Sequence, residues 1–242
     1  KIVDQLSGRT LGLRVDTTPQ VARIDAHLLN RAGVTRLCYC GPTLHTRAPG
    51  PYATREPLQL GAEIYGHAGL EADLEILQLA LQCLKASDIS SFHVDLSDAR
   101  ILPSLLREQG LTASQREAIA QALSNKDISA VRSIGASLPT PLREALVALV
   151  QLYGGLDVLD RAEAIFKDWP EGLLALSHLR WLTTHIHGHQ VSIDLADLRG
   201  AAYYSGPRFA VFVPEASDAL VRGGRYDEVG ALFGRKRPAA GF

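Results

Sequence analysis

The chain has 242 residues, of which 46% are hydrophobic and 21% charged, and its formal net charge is -1. This length suits one large domain or two smaller ones, and the composition is ordinary for a globular protein. The near-zero charge gives no reason to expect nucleic acid or a membrane surface as a partner, and no apolar run approaches the roughly 20 residues that span a bilayer.

The chain starts with a strand pattern and then a helix pattern. Residues 11–16 alternate apolar and polar side chains, as a half-buried strand does. Residues 17–19 (Thr-Thr-Pro) are typical of a helix start, with proline in the first turn. The helix that follows is predicted to end at Gly33. Its apolar stripe consists of Val21, Ile24, Leu28 and Leu29.

A strand, a loop and a second strand are predicted next. Residues 36–41 have the pattern of a short strand, and residues 42–53 form a loop that contains three of the twelve prolines. Residues 58–66 alternate again and predict a second long strand, antiparallel to the first by the logic of a hairpin. An amphipathic helix is then predicted over residues 70–86, and a strand over residues 92–96.

The pattern is helical from residue 112 to about residue 184, and strand signals return at residues 191–195, 201–204 and 209–213. This order predicts an α+β fold in which an antiparallel sheet flanked by helices is interrupted by a helical insertion. The predicted parts are a first segment of the sheet core, the helical insertion and a second segment of the core, at residues 1–110, 111–187 and 188–242.

The second long strand carries polar residues of one parity. Arg55, Gln59, Gly61 and Glu63 are expected to point to one side of it. That side would present a cation, an amide and a carboxylate, with a glycine that opens space between them. The alternative is the solvated face of a half-buried antiparallel sheet, which needs no ligand.

Two arginine-glycine segments lie near the end of the sequence. Residues 199–206 read Arg-Gly-Ala-Ala-Tyr-Tyr-Ser-Gly, and residues 222–227 read Arg-Gly-Gly-Arg-Tyr-Asp. Glycine lets a backbone approach a ligand closely, arginine offers a planar fork of donors to a carboxylate or phosphate, and a tyrosine hydroxyl both donates and accepts. The combination predicts a pocket for a small polar molecule with a carboxylate end.

Four segments together resemble the histidyl branch of the class II aminoacyl-tRNA synthetases. In chain order they are similar to that family's strand-and-threonine segment, its motif 2 and its two histidine signatures, at residues 13–18, 41–42 with 55–66, 199–206 and 223–227. They cover almost the whole chain outside the helical insertion. The resemblance implies a class II synthetase-like antiparallel sheet, with motif 3 beginning at residues 240–242.

The resemblance also implies a histidine-binding site. The imidazole ring, the α-amino group and the carboxylate end of histidine would be bound by three pairs of residues, Glu63 with Tyr204, Asp16 with Thr18, and Gln59 with Arg199. The same resemblance adds Arg55 and Tyr203 to these histidine-binding residues and places beside the pocket Gly223, Gly224, Arg225 and Tyr226.

Each assignment has a structural alternative. Glu63 and Tyr204 would also suit a cross-strand structural pair, and Thr18 or its neighbour Thr17 would also suit a helix N-cap. Arg199 would also suit a surface ion pair. Residues 223–224 (Gly-Gly) would also suit a tight turn.

Motif 2 and the first signature depart from the synthetases. His45 stands where that family has an arginine that holds the ATP α-phosphate, and Arg47 stands where it has a glutamate. Adenylation depends on charge-assisted contacts of this kind. Ala201 and Ala202 replace a Leu-Asp pair, so a carboxylate is lost. The histidine side of the site is kept and the ATP side is not, so no catalytic residue, metal or cofactor is expected.

This combination resembles the synthetase-like regulatory subunits of ATP phosphoribosyltransferase, as do residues 21–29 and 235–238. The resemblance implies a non-catalytic protein in the first step of histidine biosynthesis, required for the activity of a short-form catalytic subunit and for feedback inhibition by histidine. The implied partners are that catalytic subunit, a second copy of the chain and L-histidine. Two alternatives remain, an active histidyl-tRNA synthetase core and a synthetase-like amino-acid-binding protein with another partner.

The three cysteines give no disulfide framework, which favours a reducing cytoplasm. Cys38 and Cys40 are expected to face the same way and to be buried. No charged-then-apolar leader is visible. The start at Lys1 and the absence of methionine lead us to expect that the sequence is part of a longer protein.

Two further motifs are interpreted without a ligand. His185, His187 and His189 alternate and would allow a metal site, but no third or fourth ligand of another type stands near them, so a solvated linker is favoured. Residues 235–237 (Arg-Lys-Arg) are expected to form a solvated or interface loop.

Overall fold

The computed structural model describes residues 2–48, 53–200 and 202–242, and these form an α+β fold. The strands are β1 Ile2–Val3, β2 Thr10–Leu11, β3 Thr35–Pro42, β4 Leu58–Tyr65, β5 His93–Asp98, β6 Tyr153–Gly154, β7 Gln190–Asp194, β8 Pro207–Phe212, β9 Val221–Arg225 and β10 Ala239–Gly241. The helices are α1 Thr18–Arg23, α2 Leu70–Ala86, α3 Ile101–Leu106, α4 Ala113–Ser124, α5 Ile128–Ile134, α6 Thr140–Leu149, α7 Asp157–Ile165 and α8 Pro170–His185.

Eight strands form one sheet in the order β3-β4-β10-β9-β8-β5-β7-β6, and β1 and β2 pair separately. Neighbouring strands are antiparallel except for β5 and β7, which are parallel. The predicted α+β fold with an antiparallel sheet and flanking helices is therefore confirmed, with one parallel pair added. The last three strands of the sequence lie at the centre of the sheet, between β4 and β5.

The two faces of the sheet differ. Helices α2 and α8 pack on one face, where Ile64, Val94 and Leu96 are buried in the main core. A row of paired residues runs across the opposite face, from β4 to β5, and consists of Glu63, Gly241, Gly224, Arg208 and Ser97. We call the face that bears this row the site face. Helix α1 packs on part of it, against a small cluster that includes Tyr65 and Tyr226.

The helices between β5 and β7 share the main core with the sheet. Leu123, Leu146 and Leu159 from these helices belong to the same apolar cluster as Val94 of β5 and Val211 of β8. The division into a sheet core and a helical insertion stays a prediction. Among the described residues, no helix has both the length and the apolar character needed to cross a membrane.

The predicted strand over residues 11–16 is wrong beyond its first residue. Only Thr10–Leu11 is paired, with Ile2–Val3, and the following residues are exposed loop. The alternation of apolar and polar residues is real, but Leu13 and Val15 stay 51% and 63% exposed because no second layer covers them.

The first helix also differs from its prediction. After α1 the backbone continues as a π-helix over Ile24–Leu29, and it ends at Asn30, which is left-handed (φ 44°), rather than at Gly33. A π-helix has more residues per turn, so the change shifts the apolar stripe. Leu28, which was expected in that stripe, is 74% exposed.

The later elements follow the sequence more closely. Helix α2 has the predicted bounds, Leu70–Ala86, and Leu77, Leu81 and Leu84 are buried along it. The strand predicted over residues 201–204 is not present in its described part, since residues 202–204 lie in a turn after Gly200 (φ 71°). Ala201, like residues 49–52 of the predicted loop, lies outside the described residues.

The prediction that Cys38 and Cys40 are buried is wrong, and the solvated alternative for residues 235–237 holds only in part, while their interface alternative stays a prediction. Cys38 and Cys40 share a face of β3 as expected, but both are exposed, because β3 is the edge strand of the sheet. Residues 235–237 are not a solvated loop throughout. The Arg237 side chain is 9% exposed, and its guanidinium donates to the carboxylate of Asp25 and to the carbonyls of Arg31, Gly33 and Tyr65.

The alternating histidines take separate positions rather than forming one solvated linker. His185 ends α8 and stacks on Trp181 with ring centroids 4.0 Å apart. His189 stacks on Phe92 at 5.0 Å, while His187 is exposed. Two of the three rings are therefore packed against aromatic neighbours.

Candidate functional site

Strand β4 places Gln59, Gly61 and Glu63 on the site face, as their parity predicts. Arg55 does not share that placement, because β4 begins three residues after it, at Leu58. The Arg55 side chain is exposed, and its backbone carbonyl accepts from the His45 amide at 2.8 Å. The parity prediction is therefore wrong for Arg55.

Glu63 is a buried carboxyl group that is only partly satisfied. The residue is 1% exposed, and its Oε2 accepts a hydrogen bond from the Tyr226 hydroxyl. Its Oε1 is buried and has no hydrogen-bond partner among the described residues. Burial raises the pKa of Glu63 well above its ordinary value; the nearby Thr18 hydroxyl acts against this shift and the charge of Asp16 adds to it. The unused oxygen can accept an N–H from a ligand.

Three tyrosine rings lie next to this carboxyl group. The Tyr226 ring centroid is 4.8 Å from that of Tyr203 and 6.3 Å from that of Tyr204. Burial raises the pKa of both Tyr203 and Tyr204, so their hydroxyls stay protonated. The hydroxyl that contacts Glu63 belongs to Tyr226, which was predicted only to lie beside the pocket. The assignment of Glu63 and Tyr204 as the imidazole pair stays a prediction.

A hydrogen-bonded cluster adjoins Glu63 at the start of α1. The Gln59 side chain accepts from the Thr17 amide and donates to Asp16 Oδ1, both at 2.9 Å. Asp16 Oδ1 also accepts from the Thr18 amide at 3.0 Å. Thr17 is the N-cap residue by position, but its side chain makes no capping hydrogen bond. The capping alternative therefore does not explain this pair of threonines.

Tyr39 joins this cluster to the end of the sheet. Its hydroxyl lies 3.0 Å from Thr18 Oγ1 and 3.4 Å from Gln59 Nε2, and it donates to the Phe242 carbonyl at 3.3 Å. The sequence analysis did not select Tyr39. Its parity on β3, opposite to that of Cys38 and Cys40, was a signal that would have placed it on the site face.

Two glycines keep the floor of the site free of side chains. A Cβ atom at Gly61 would collide with the Tyr39 phenol and the Phe242 carbonyl. A Cβ atom at Gly241 would collide with the Tyr226 hydroxyl and the Glu63 carboxylate. The close approach of these polar groups therefore requires glycine at both positions.

Arg199 and Tyr204 lie on the β8 side of the site face. Arg199 Nε pairs with Asp197 Oδ1 at 2.8 Å, and the arginine side chain is 54% exposed. Burial alone would raise the pKa of Asp197, but the hydrogen bond from Arg199 and the charge of Arg208 lower that pKa to about 2. Arg199 is therefore held beside Tyr204, with which it lines a small pocket.

Arg208 is the second residue that the sequence analysis missed. It is 6% exposed on β8, and its guanidinium donates to Ser97 Oγ at 2.6 Å and to the backbone carbonyls of Asp197 and Arg199. It therefore fixes the loop that carries Arg199. A charged residue inside the otherwise apolar run of β8 was the available signal.

Arg225 lies outside the site. Its guanidinium is buried on the helix side, where it pairs with Asp73 of α2 at 2.5 Å and donates to the carbonyls of His67 and Gly69. Residues 223–224 belong to β9 and do not form a separate turn. The expectation that Arg225 lies beside the pocket is therefore wrong, because its guanidinium pairs with the buried Asp73 carboxylate on the helix side of the sheet.

These residues together offer a site for a small zwitterion. The site face carries a buried carboxyl with an unused oxygen, the cluster of Asp16, Thr18, Tyr39 and Gln59 beside it, and Arg199 with Tyr204 on the β8 side. A ring N–H, an ammonium group and a carboxylate would each find a chemically suitable partner.

Comparison with known proteins gives concordant matches. A family model described as histidyl-tRNA synthetase matches residues 1–242. Proteins named ATP phosphoribosyltransferase regulatory subunit from Albidiferax ferrireducens and from Acidovorax sp. (strain JS42) are 61% and 59% identical to this chain. Each alignment covers 100% of this chain and 63% of the relative, so the chain spans less than two thirds of their length.

A solved structure has the same fold. It is that of an ATP phosphoribosyltransferase regulatory subunit/histidyl-tRNA synthetase from Bacillus halodurans, with a TM-score of 0.85 and 28% sequence identity. The match covers 99% of this chain and 64% of that one.

Proposed function

Because the chain belongs to the histidyl-tRNA synthetase family, we propose that it is the synthetase-like core of a regulatory subunit of ATP phosphoribosyltransferase and that it binds L-histidine. The class II synthetase-like fold expected from the sequence is confirmed. The observation that carries the proposed function is the 61% identity to a protein of that name over the whole of this chain.

The site supports L-histidine as the ligand. Glu63 Oε1 lacks a partner among the described residues and would accept an imidazole N–H, and Tyr203, Tyr204 and Tyr226 surround it with aromatic rings. Asp16 and Thr18 would bind the amino group, and Gln59 with Arg199 the carboxylate end. A buried acceptor rejects ligands that leave it unpaired, so the site would discriminate against amino acids without a ring N–H.

The chain would act on a partner without chemistry of its own. By the resemblance to motif 2, His45 and Arg47 stand at the positions where a synthetase has an ATP-binding arginine and a glutamate. This difference supports a non-catalytic role that needs no cofactor. In this role the cytoplasmic protein forms dimers, enables a short-form catalytic subunit and reports the histidine level to it. Feedback then corresponds to a coupling free energy between the histidine site and the partner's active site.

The decisive experiment measures phosphoribosyl-ATP formation by a short-form catalytic subunit, alone, with this protein, and with this protein plus L-histidine. We expect activation that L-histidine reverses. A matched control repeats the assay with R161Q, which removes an exposed arginine far from the site. An unchanged rate on addition of the protein would contradict the proposed function.

The second candidate is an active histidyl-tRNA synthetase, which the description of the matching family model favours. Histidine-dependent exchange between ATP and pyrophosphate tests it. Robust exchange would replace the regulatory proposal. If neither exchange nor activation is observed, a partner pull-down tests the remaining alternative, a binding protein with another target.

A further inference from the structure

Arg222 lies on the site face but is not one of the candidate histidine-binding residues. On β9 it pairs in register with Ala210 of β8, which in turn pairs with Asp95 of β5. This row lies next to the row that contains Glu63 and Arg208. The side chain therefore points toward the same space as the candidate histidine-binding residues.

Arg222 lines both a pocket and a groove. It lines the small pocket of Arg199 and Tyr204. It also lines a larger, open groove together with Gln59 and Phe242. The charge of Arg222 acts against the rise that burial causes in the pKa of Tyr204, which agrees with their proximity. Arg222 therefore borders both the pocket of Arg199 and the groove that Gln59 lines.

The present partner of Arg222 is weakly held. Its Nη2 lies 2.5 Å from Asp218 Oδ1, four residues earlier, and the two side chains are 37% and 64% exposed. Arg199 also pairs with an aspartate and is 54% exposed. The Arg222 pair is exposed on both sides and contributes little, so the Arg222 guanidinium can exchange Asp218 for a ligand carboxylate. Arg199 stays paired with Asp197, which is 11% exposed, and would offer the carboxylate its remaining N–H donors.

We propose that Arg222 is a specificity-determining residue that binds the ligand carboxylate together with Arg199. The inference rests on the proposed histidine site and adds a second cation to it. A carboxylate has two oxygens and an arginine presents a fork of donors, so two arginines from the β9 strand and the loop before β8 would hold it from two sides. The site would then select histidine over imidazole compounds without a carboxylate.

The test compares L-histidine with histamine, which keeps the imidazole ring and the amine but lacks the carboxylate. Titration calorimetry is done on the unaltered protein, R222Q, R222K and the control R161Q. Arg161 is matched to Arg222 because it also pairs with an aspartate four residues earlier, Asp157. Thermal melting of each variant verifies that it is folded.

We expect R222Q to bind L-histidine at least tenfold more weakly and histamine within twofold of the unaltered protein. The affinity of R222K for L-histidine should lie between those of R222Q and the unaltered protein, and R161Q should match the unaltered protein. Unchanged L-histidine affinity in R222Q, or an equal loss for both ligands, would overturn the role of Arg222 alone. No L-histidine binding by the unaltered protein would overturn the proposed site as well.

Discussion

Glu63 combines deep burial with an incomplete set of hydrogen bonds. Tyr226 satisfies one oxygen, while the other has no partner among the described residues. Desolvation disfavours the charged form of a carboxyl group, which is why the pKa of Glu63 is raised. The same feature that prepares the residue to accept a ligand N–H therefore makes the ligand-free fold less stable.

This residue gives a prediction with a definite pH dependence. Between the unfolded and folded pKa values, the folded carboxyl keeps a proton that the unfolded chain has released, so its contribution to stability is greatest at low pH and is lost as pH rises. We expect E63Q to increase the free energy of unfolding by about 1 kcal/mol at pH 8 and not at pH 4, and to weaken L-histidine binding at least tenfold. Urea denaturation measures the free energy of unfolding, and titration calorimetry measures the affinity for L-histidine.

The control for E63Q is E117Q, which changes an exposed glutamate on α4. E117Q should leave both properties as they are. A gain in stability for E63Q that is the same at both pH values would show that the charge of Glu63 is not the cause.

Single residues of the site were predictable where they stand in a regular element or a family motif. Gln59 and Glu63 followed from strand parity. Strand parity also places Tyr39 on the site face, but it does not show that the Tyr39 hydroxyl contacts the carbonyl of Phe242, 203 positions away. Arg55 was misplaced because periodicity does not show where a strand begins, and Arg225 because a sequence does not show its buried partner, Asp73.

At the scale of elements, one buried ion pair ties α2 to β9. Arg225 donates to Asp73 and to the carbonyls of His67 and Gly69, which precede the helix. Burial raises the pKa of Asp73 although the charge of Arg225 acts against that shift. The orientation of α2 on the sheet therefore depends on a charge that water does not solvate.

Removing one residue of this ion pair should cost much of the free energy of unfolding, and removing its partner as well should add less to that cost. We expect D73A to lower the free energy of unfolding by about 3–5 kcal/mol, because it leaves a buried guanidinium unpaired. The double variant D73A/R225M should lose less than the sum of D73A and R225M, as a double-mutant cycle measures by urea denaturation.

The exposed pair of Asp157 and Arg161 is the comparison, since its side chains are 67% and 48% exposed. D157A should cost less than about 1 kcal/mol. Additive losses in the D73A and R225M cycle would mean that the two residues act independently.

Elements differed in how far the sequence determined them. Helix α2 was predicted with its bounds because its apolar period is unbroken over seventeen residues. Residues 11–16 have the alternation of a strand, but pairing requires a neighbour, and β2 finds one for only two residues. The switch of α1 to a π-helix has no comparable local signal.

At the scale of the whole molecule, the helices between β5 and β7 complete the core of the sheet. Because their apolar side chains join those of β5 and β8 in one cluster, we expect the two parts to unfold together. Trp169 and Trp181 report on the helical part, and the near-UV signal of the clustered tyrosines reports on the sheet. Their urea midpoints should coincide; two separate midpoints would show that the helical part is an independent unit.

The central position of β8, β9 and β10 sets an order for synthesis on the ribosome. The β3–β4 hairpin emerges early, but β10, its neighbour in the sheet, follows 174 residues after Tyr65. At ribosomal speeds of about 5–20 residues per second, the edge of β4 waits roughly ten to thirty seconds without its partner. An unpaired strand edge is a template for pairing with another chain, so during this interval the nascent chain exposes a site for aggregation.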